Sequence, residues 1–265
     1  MSILKKSPLV IITGFAFFII YLPILIIMLF SVNSAEKDYV FDSFSFKWYV
    51  EMFDDPQLFE AITNTIMVAV LSTLVATIVG TVTAIGIHAL SKKNRTRMMI
   101  LNNIPVINPD IVTGISLMLV FSLLPISFGM NTMLLAHIFF SIPFVVLTVL
   151  PKLKELDPNL YDAALDLGCS RFKAIYKVII PSIKMGMIAG ALIAFTMSID
   201  DFVISYFTSG QGFQNVSIWI YSRIGRKSFS KGVYAYNTLV VFGTIAVLLL
   251  SSRLTGRSLI RKEER

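Results

Sequence analysis

Long apolar runs alternate with short polar stretches along this chain, and the runs predict six membrane-crossing helices. They fall at Pro8 to Ser31, Ile62 to Leu90, Met98 to Leu124, Asn131 to Leu150, Ile183 to Phe207 and Val233 to Ser251. Each is close to or above the roughly 20 apolar residues that a crossing needs. The third is interrupted by Pro105 and Pro109. Its expected form is a short helix beginning near Pro109, preceded by a broken or interfacial turn. Lys5-Lys6 before the first run resembles the start of a signal peptide. The run is longer than the roughly 7–15 residues of a signal core, and no small-residue cleavage site stands out, so it reads as an uncleaved first helix.

Within the runs, small residues recur at i+4. Ser72, Ala76, Gly80 and Ala84 form one stripe, with Thr73, Thr77 and Thr81 beside it; Gly186, Gly190, Ala194 and Ser198 form another. In lipid, such stripes let helices approach closely, so both predict faces turned to the bundle interior.

Composition agrees with the pattern. The chain is 55% apolar and 15% charged, with a mean hydropathy of +0.77, against about 25% charged in soluble domains. The net charge of +7 would suit nucleic acid, but its distribution follows membrane topology instead. Seventeen of the 23 basic residues lie in the N-terminus, the second and fourth connections and the C-terminal tail. The positive-inside rule then puts both termini of a multi-pass membrane protein in the cytoplasm, in contact with lipid and with no nucleic acid as partner. The first outer loop, Val32 to Ala61, carries seven acids. The last, Thr208 to Gly232, is an exception, with Arg223, Arg226, Lys227 and Lys231. It reads either as a dock for an acidic partner or as a solvated turn at the headgroups. The expected organisation is a first helix with its acidic loop (1–61), a five-helix core (62–251) containing a polar loop at 152–182, and a basic tail (252–265).

Chemistry that would make the chain an enzyme is missing from the sequence. No His/Cys cluster has metal-ligand spacing, no catalytic constellation is seen, and no G-x-x-x-x-G-K-[ST] loop is present to hold a nucleotide. Cys169 is the only cysteine. The expectation is a chain with no catalytic residue, no metal and no cofactor of its own.

Three acids fall inside predicted spans. A carboxylate at the bilayer centre costs roughly 2.5–3.5 kcal/mol on insertion scales. On a continuous fifth helix, Asp201 shares the face of Ala194, Ser198 and Ser205, and Asp200 points to one side. Asp201 is therefore the expected pore-facing acid, with Asp200 flanking it and Phe202 and Tyr206 supplying aromatic faces to a cation. Hydration at the outer interface, or a salt bridge to Arg223 or Arg226, are the competing readings. Asp110, after Pro109, reads either as a helix cap or as a second site on a cation path. His137, in an apolar stretch of the fourth run, reads as a hydrogen-bonded packing residue.

The loop before the fifth run has a spacing of its own: Asp162-Ala163-Ala164, then Gly168, then Val178-Ile179-Ile180-Pro181. Asp157-Pro158 fits a helix start. Gly168 permits a sharp turn with positive φ, and Ser170 can cap a second helix that runs from Arg171 to Ile180, with Pro181 marking entry to the span. Small Ala163 and Ala164 suit a groove on a partner, and Arg171, Lys173 and Lys177 suit its acids.

This loop resembles the coupling loop of the permease subunits of bacterial ABC importers. Pro109-Asp110-Ile111-Val112, Pro143-Phe144-Val145-Val146 and Ser198-Ile199-Asp200-Asp201 extend the resemblance to the permeases of spermidine/putrescine importers, specifically the second of the pair. Asp162 stands where that family usually has Glu, with the charge kept. The resemblance implies an all-α integral membrane protein of six transmembrane helices, the type I importer permease fold with a cytoplasmic coupling helix. It implies a heterodimer with a related permease, two copies of a cytoplasmic ATPase that use ATP and Mg, and an extracytoplasmic polyamine-binding protein. It implies a place in the bacterial inner membrane and transport by alternating access. It implies a substrate path at Asp200, Asp201, Asp110, Phe202, Ser205 and Tyr206, and ATPase coupling through Asp162, Ala163, Ala164, Gly168 and Pro181. An importer permease for another solute, such as ferric iron or thiamine, is the alternative. Anions rank low because the spans hold no lysine or arginine beyond Lys184 at the cytoplasmic start of the fifth. A channel or intramembrane enzyme ranks lower still, having no use for an ATPase dock.

Overall fold

A computed structural model describes residues 7–37, 40–224 and 230–263. Lys5, Lys6, Arg226, Lys227 and Arg265 lie outside the described residues, as do the side chains of Arg253, Arg257, Arg261 and Lys262. The described residues are helical apart from turns, loops and one isolated antiparallel bridge, Asn33 to Phe44.

Four helical stretches are long and apolar enough to cross a membrane: Val10–Ser31, Pro56–Ala89, Met130–Lys154 and Arg171–Asp200. They match the first, second, fourth and fifth predicted spans. The third is not one rod. Helices α4 (Lys92–Ile107) and α5 (Asp110–Ser122) meet at Asn108–Pro109, bent by 100°. Pro109 disfavours the helical conformation for the residue before it, and Asn108 is extended with ψ 137°. Pro105 breaks nothing; it sits inside the last turn of α4. The sixth predicted span falls in α12 (Gly232–Glu263), whose described apolar part, Gly232–Ala246, is shorter than a crossing.

The chain divides into two units, 1–60 with 223–246 and 61–222 with 247–265. The part of α12 up to Ala246 falls in the first of these units.

In the first unit, α1 (Ser7–Ser31) is exposed along its length from Val10 to Ile26. An apolar helix with no protein cover is stable where lipid covers it. Beyond it, the fully buried Asn33 organises the acidic segment. Its amide donates to Val40 O at 2.6 Å and its Oδ1 accepts from Ala35 N and Asp42 N. Trp48, on the short helix α2 (Lys47–Asp54), donates its ring N–H to Asn33 O. Two bases of the anomalous last loop have partners in this unit: Arg223 donates to Gln57 Oε1, and Lys231 donates to Ala35 O at 3.1 Å and lies 5.3 Å from the Trp48 ring centre.

In the second unit α6 (Met130–Lys154) is the axis. Met133, Ala136, Val145, Val146 and Val149 are fully buried. Both small-residue stripes are buried as predicted, and both pack against α6. A Cβ built on Gly80 of α3 (Pro56–Ala89) would lie 2.7 Å from Val145 Cβ. One built on Gly190 of α9 (Ile180–Asp200) would lie 2.5 Å from Thr148 Oγ1 and 3.0 Å from Val145 Cα. The stripes also meet directly, through Ser72 and Ser198 hydroxyls 3.2 Å apart. We expect Gly190→Ala to destabilise the protein by about 1–3 kcal/mol, the usual range for overpacking. Gly86→Ala, where nothing lies within 4 Å of the added carbon, should be neutral or stabilising by up to about 1 kcal/mol. Thermal denaturation in detergent checks the pair; equal melting temperatures for the two variants would contradict this packing.

Candidate functional site: a broken helix and a polar docking segment

The fifth predicted span is broken where it carries its acids. Helix α9 ends at Asp200, Asp201 leaves the helix with ψ 125°, and α10 (Val203–Thr208) starts afresh. Neither Gly nor Pro marks the break. Asp201 makes it locally: its carboxylate accepts from Ser205 N at 2.7 Å and Ile204 N at 3.3 Å, taking up free N–H groups at the start of α10. Side chains from other helices complete it. His137, buried on α6, places Nδ1 2.6 Å from Ser198 Oγ in the last turn of α9, and Nε2 2.9 Å from Ser205 Oγ in α10. The same Nε2 is 3.6 Å from Asp201 Oδ2. Asn215, just before α11 (Val216–Arg223), donates to Asp201 O at 3.1 Å and Ser205 Oγ at 2.9 Å. With Ser72 of α3 touching Ser198, four helices and the residue before α11 meet in one buried polar cluster. Buried polar groups in lipid are expensive unless paired, and here they pair across the break.

This geometry corrects the expected face assignment, which assumed a continuous helix from Ile183 to Phe207. Asp201 turns inward, its side chain only 9% exposed. Asp200 is the exposed acid. It is the last residue of α9, where the helix dipole disfavours a carboxylate. No ion pair holds it among the described residues of its unit. Of the two bases expected as alternative partners, Arg223 belongs to the other unit, where it donates to Gln57, and Arg226 is outside the described residues. A solvent- or substrate-facing carboxylate in that position is electrostatically primed for a cation. Asp110 is exposed at the first turn of α5, which has no side-chain cap. One turn on, Gly114 packs against α10, its built Cβ 3.4 Å from Ile204 Cα. Asp110 therefore opens the helix that packs on α10, the element beyond the break.

Aromatic rings lie alongside. Phe202 packs on Val68, Met133 and Ile218, and its ring centre is 5.5 Å from Tyr206 and 4.8 Å from Tyr221. Tyr206 and Tyr221, both about half exposed, are 5.7 Å apart. Ser205, expected on the substrate path, is fully buried inside the polar cluster.

The polar loop before the fifth span folds as a helix–turn–helix. Asp157 and Pro158 form the lead-in turn, and α7 runs from Leu160 to Asp166, with Asp162 in its first turn. Gly168 adopts φ +85°, and Ser170 caps α8 (Arg171–Ala174) by accepting from Lys173 N at 3.4 Å. Leu160 and Tyr161 pack against Val149, Leu153 and Ile183 at the foot of α6 and α9. Ala164 is buried on that same inner side, at 6% exposure, while Asp162 and Ala163 are exposed. Leu167 and Phe172 stand 87% and 77% exposed beside them. Pro181 does not mark a transition between helices. It lies within one rod from Arg171 to Asp200, preceded by a π-helical turn, Ile175–Ile179. Proline lacks an N–H and its ring crowds the carbonyl four residues back; the wider turn accommodates both.

Residues 76–255 match the model of the family described as binding-protein-dependent transport system inner membrane component. The chain belongs to this family. The permease is 33% identical over 238 residues to the spermidine/putrescine transport system permease protein PotC of Escherichia coli (strain K12), covering 90% of this chain and 89% of that one. It is 30% identical over 253 residues to the putrescine transport system permease protein PotI of the same strain, covering 92% and 89%. Its fold is that of the importer permeases. A subunit of a bacterial ABC transporter for the import of the acidic polysaccharide alginate superposes with a TM-score of 0.71 at 15% identity, over 96% of this chain and 97% of that one. One from the MetNI methionine ABC transporter gives 0.60 at 16%, over 76% and 96%.

Every residue expected to act lies within the matched part of the permease. Asp201 and Ser205 belong to the polar cluster, Asp200 is exposed beside the break, Phe202 and Tyr206 stack on each other, and Asp110 starts the helix that packs on α10; Asp162, Ala163, Ala164 and Gly168 share one helix–turn. Asn215 and Tyr221 were not expected. They come from a polar stretch without periodicity, and only the folded chain sets them beside the break.

Proposed function

We propose that the permease carries polyamines such as putrescine and spermidine into the cytoplasm, by alternating access driven by a separate ATPase. The observation that carries this is Asp200, an exposed carboxylate at the C-terminal end of a 30-residue helical rod, flanked by Asp110 and Asp201 and by aromatic rings. Carboxylates replace the water that a polyammonium ion sheds with charge-assisted hydrogen bonds. The relatives named for spermidine and putrescine transport support the same substrate class. The permease pairs with a related permease, and receives its substrate from an extracytoplasmic binding protein. The exposed face of α7 and Leu167 docks one of two ATPase copies, which supplies the ATP and Mg chemistry that this chain lacks. Uptake of labelled putrescine and spermidine, by cells carrying the complete operon with and without this chain, tests the proposal; equal uptake would refute it.

Both termini and the α7 segment are then cytoplasmic. Cys169 should escape a membrane-impermeant thiol reagent in intact cells, and a cysteine placed in the same outer loop at the exposed Gln211, rather than at the buried Ser209, should be labelled in a Cys169→Ser background. The reverse labelling would invert the topology.

A further inference from the structure

Next to the broken helix lies a cleft of about 750 Å³ that neither the carboxylates nor the polar cluster uses. Tyr206, Phe207 and Tyr221 wall it, with Phe128 opposite, and Ser209 and Gln214 supply polar atoms. No charged side chain of either sign lines it among the described residues. Its ring centres are closely set: Tyr206 is 5.7 Å from Tyr221 and 5.6 Å from Phe207. Phe202 joins this wall to the acids, since its ring touches Tyr206 and Tyr221 while its backbone follows Asp201 directly.

We infer that this cleft is an aromatic subsite for one ammonium end of the polyamine, while Asp200 and its neighbours take another. The inference rests on the polyamine reading above. Aromatic faces attract an ammonium through the ring quadrupole, most strongly where several rings converge and water is thinned. They do so without the desolvation that a buried carboxylate requires. A flexible polycation threading past the break therefore meets two different kinds of partner: rings that hold a charge loosely and exchange it quickly, and carboxylates that hold it tightly. A cleft built for an anion would present a base or a row of backbone N–H groups; a lipid site would not place serine and glutamine in its wall.

The test is spermidine uptake kinetics in cells expressing the complete transporter, with complex levels measured by immunoblot. Tyr221→Leu removes a ring and keeps an apolar side chain; Tyr221→Phe keeps the ring and removes the hydroxyl. We expect the leucine variant to lower the maximal spermidine uptake rate per assembled complex about tenfold or more, and the phenylalanine variant to recover most of that loss. Tyr206→Leu is the second variant, and it decides if the first fails to assemble. A maximal rate per complex within about twofold of wild type for an assembled leucine variant overturns the subsite, as does an equal loss in the leucine and phenylalanine variants. Either result leaves the polyamine reading intact, because wild-type uptake of spermidine is measured in the same experiment. Absence of that wild-type uptake refutes the reading itself.

Discussion

Asp200→Asn should lower polyamine uptake by roughly 10- to 100-fold in a transporter that still assembles. The change keeps size and shape and removes only the charge. A hydrogen bond to a charged group contributes about 1.5–3 kcal/mol, which sets that range. Because Asp200 ends α9 with no ion pair in its unit, removing its charge should leave the fold unharmed or slightly stabilised through the helix dipole. Asp201→Asn should behave differently. Its carboxylate accepts from two N–H groups of α10 and lies against His137, so its loss should reduce the recovery of folded complex as well as uptake. The two are separated by measuring transport per assembled complex. Near-wild-type transport per complex for Asp200→Asn would remove that residue from the path.

Ala163→Trp should abolish coupling while the permease still inserts. Ala163 is on the exposed face of α7, where an indole blocks the seat of a partner; a tenfold loss of binding needs only about 1.4 kcal/mol. Co-purification of the ATPase and uptake should both fall by about tenfold or more. Ala164→Trp, on the buried face against the foot of the bundle, should instead lower recovery of the permease itself. Gly168→Trp mixes strain with docking, since a non-glycine residue at this positive φ costs roughly 1–2 kcal/mol. Normal ATPase recovery with normal uptake in Ala163→Trp would exclude this surface as the dock.

Much of this was legible in the residue pattern because it is written in local chemistry. Four apolar runs are spans by length alone, and Pro109 bends the third because a proline restricts the residue before it. Gly168 turns and Ser170 caps where the spacing places them. The two small-residue stripes are periodic, so their burial was readable; that both pack on α6 was not, because periodicity names a face and not its neighbour. The break after Asp200 was hidden for a related reason. No helix breaker stands there, and the chain leaves the helix because His137 and Asn215, distant in sequence, hold its two sides. That is why a helical wheel gave Asp201 the open face, while the folded chain buries Asp201 and exposes Asp200. It also explains why Ala164, chosen with Ala163 for its size, turned out to face inward. Pro181 misled in the opposite sense: a strong breaker was absorbed by a π-helical turn.

In the proposed mechanism a polycation moves past an acid at the end of a broken helix. Its sharpest check is ATP-driven accumulation of labelled spermidine in proteoliposomes that hold the complete transporter, with wild-type or Asp200→Asn permease. Accumulation should depend on ATP and on the binding protein, and should be strongly reduced in the variant at equal complex density. No spermidine accumulation by the wild-type transporter, or equal accumulation in the two, would contradict this mechanism.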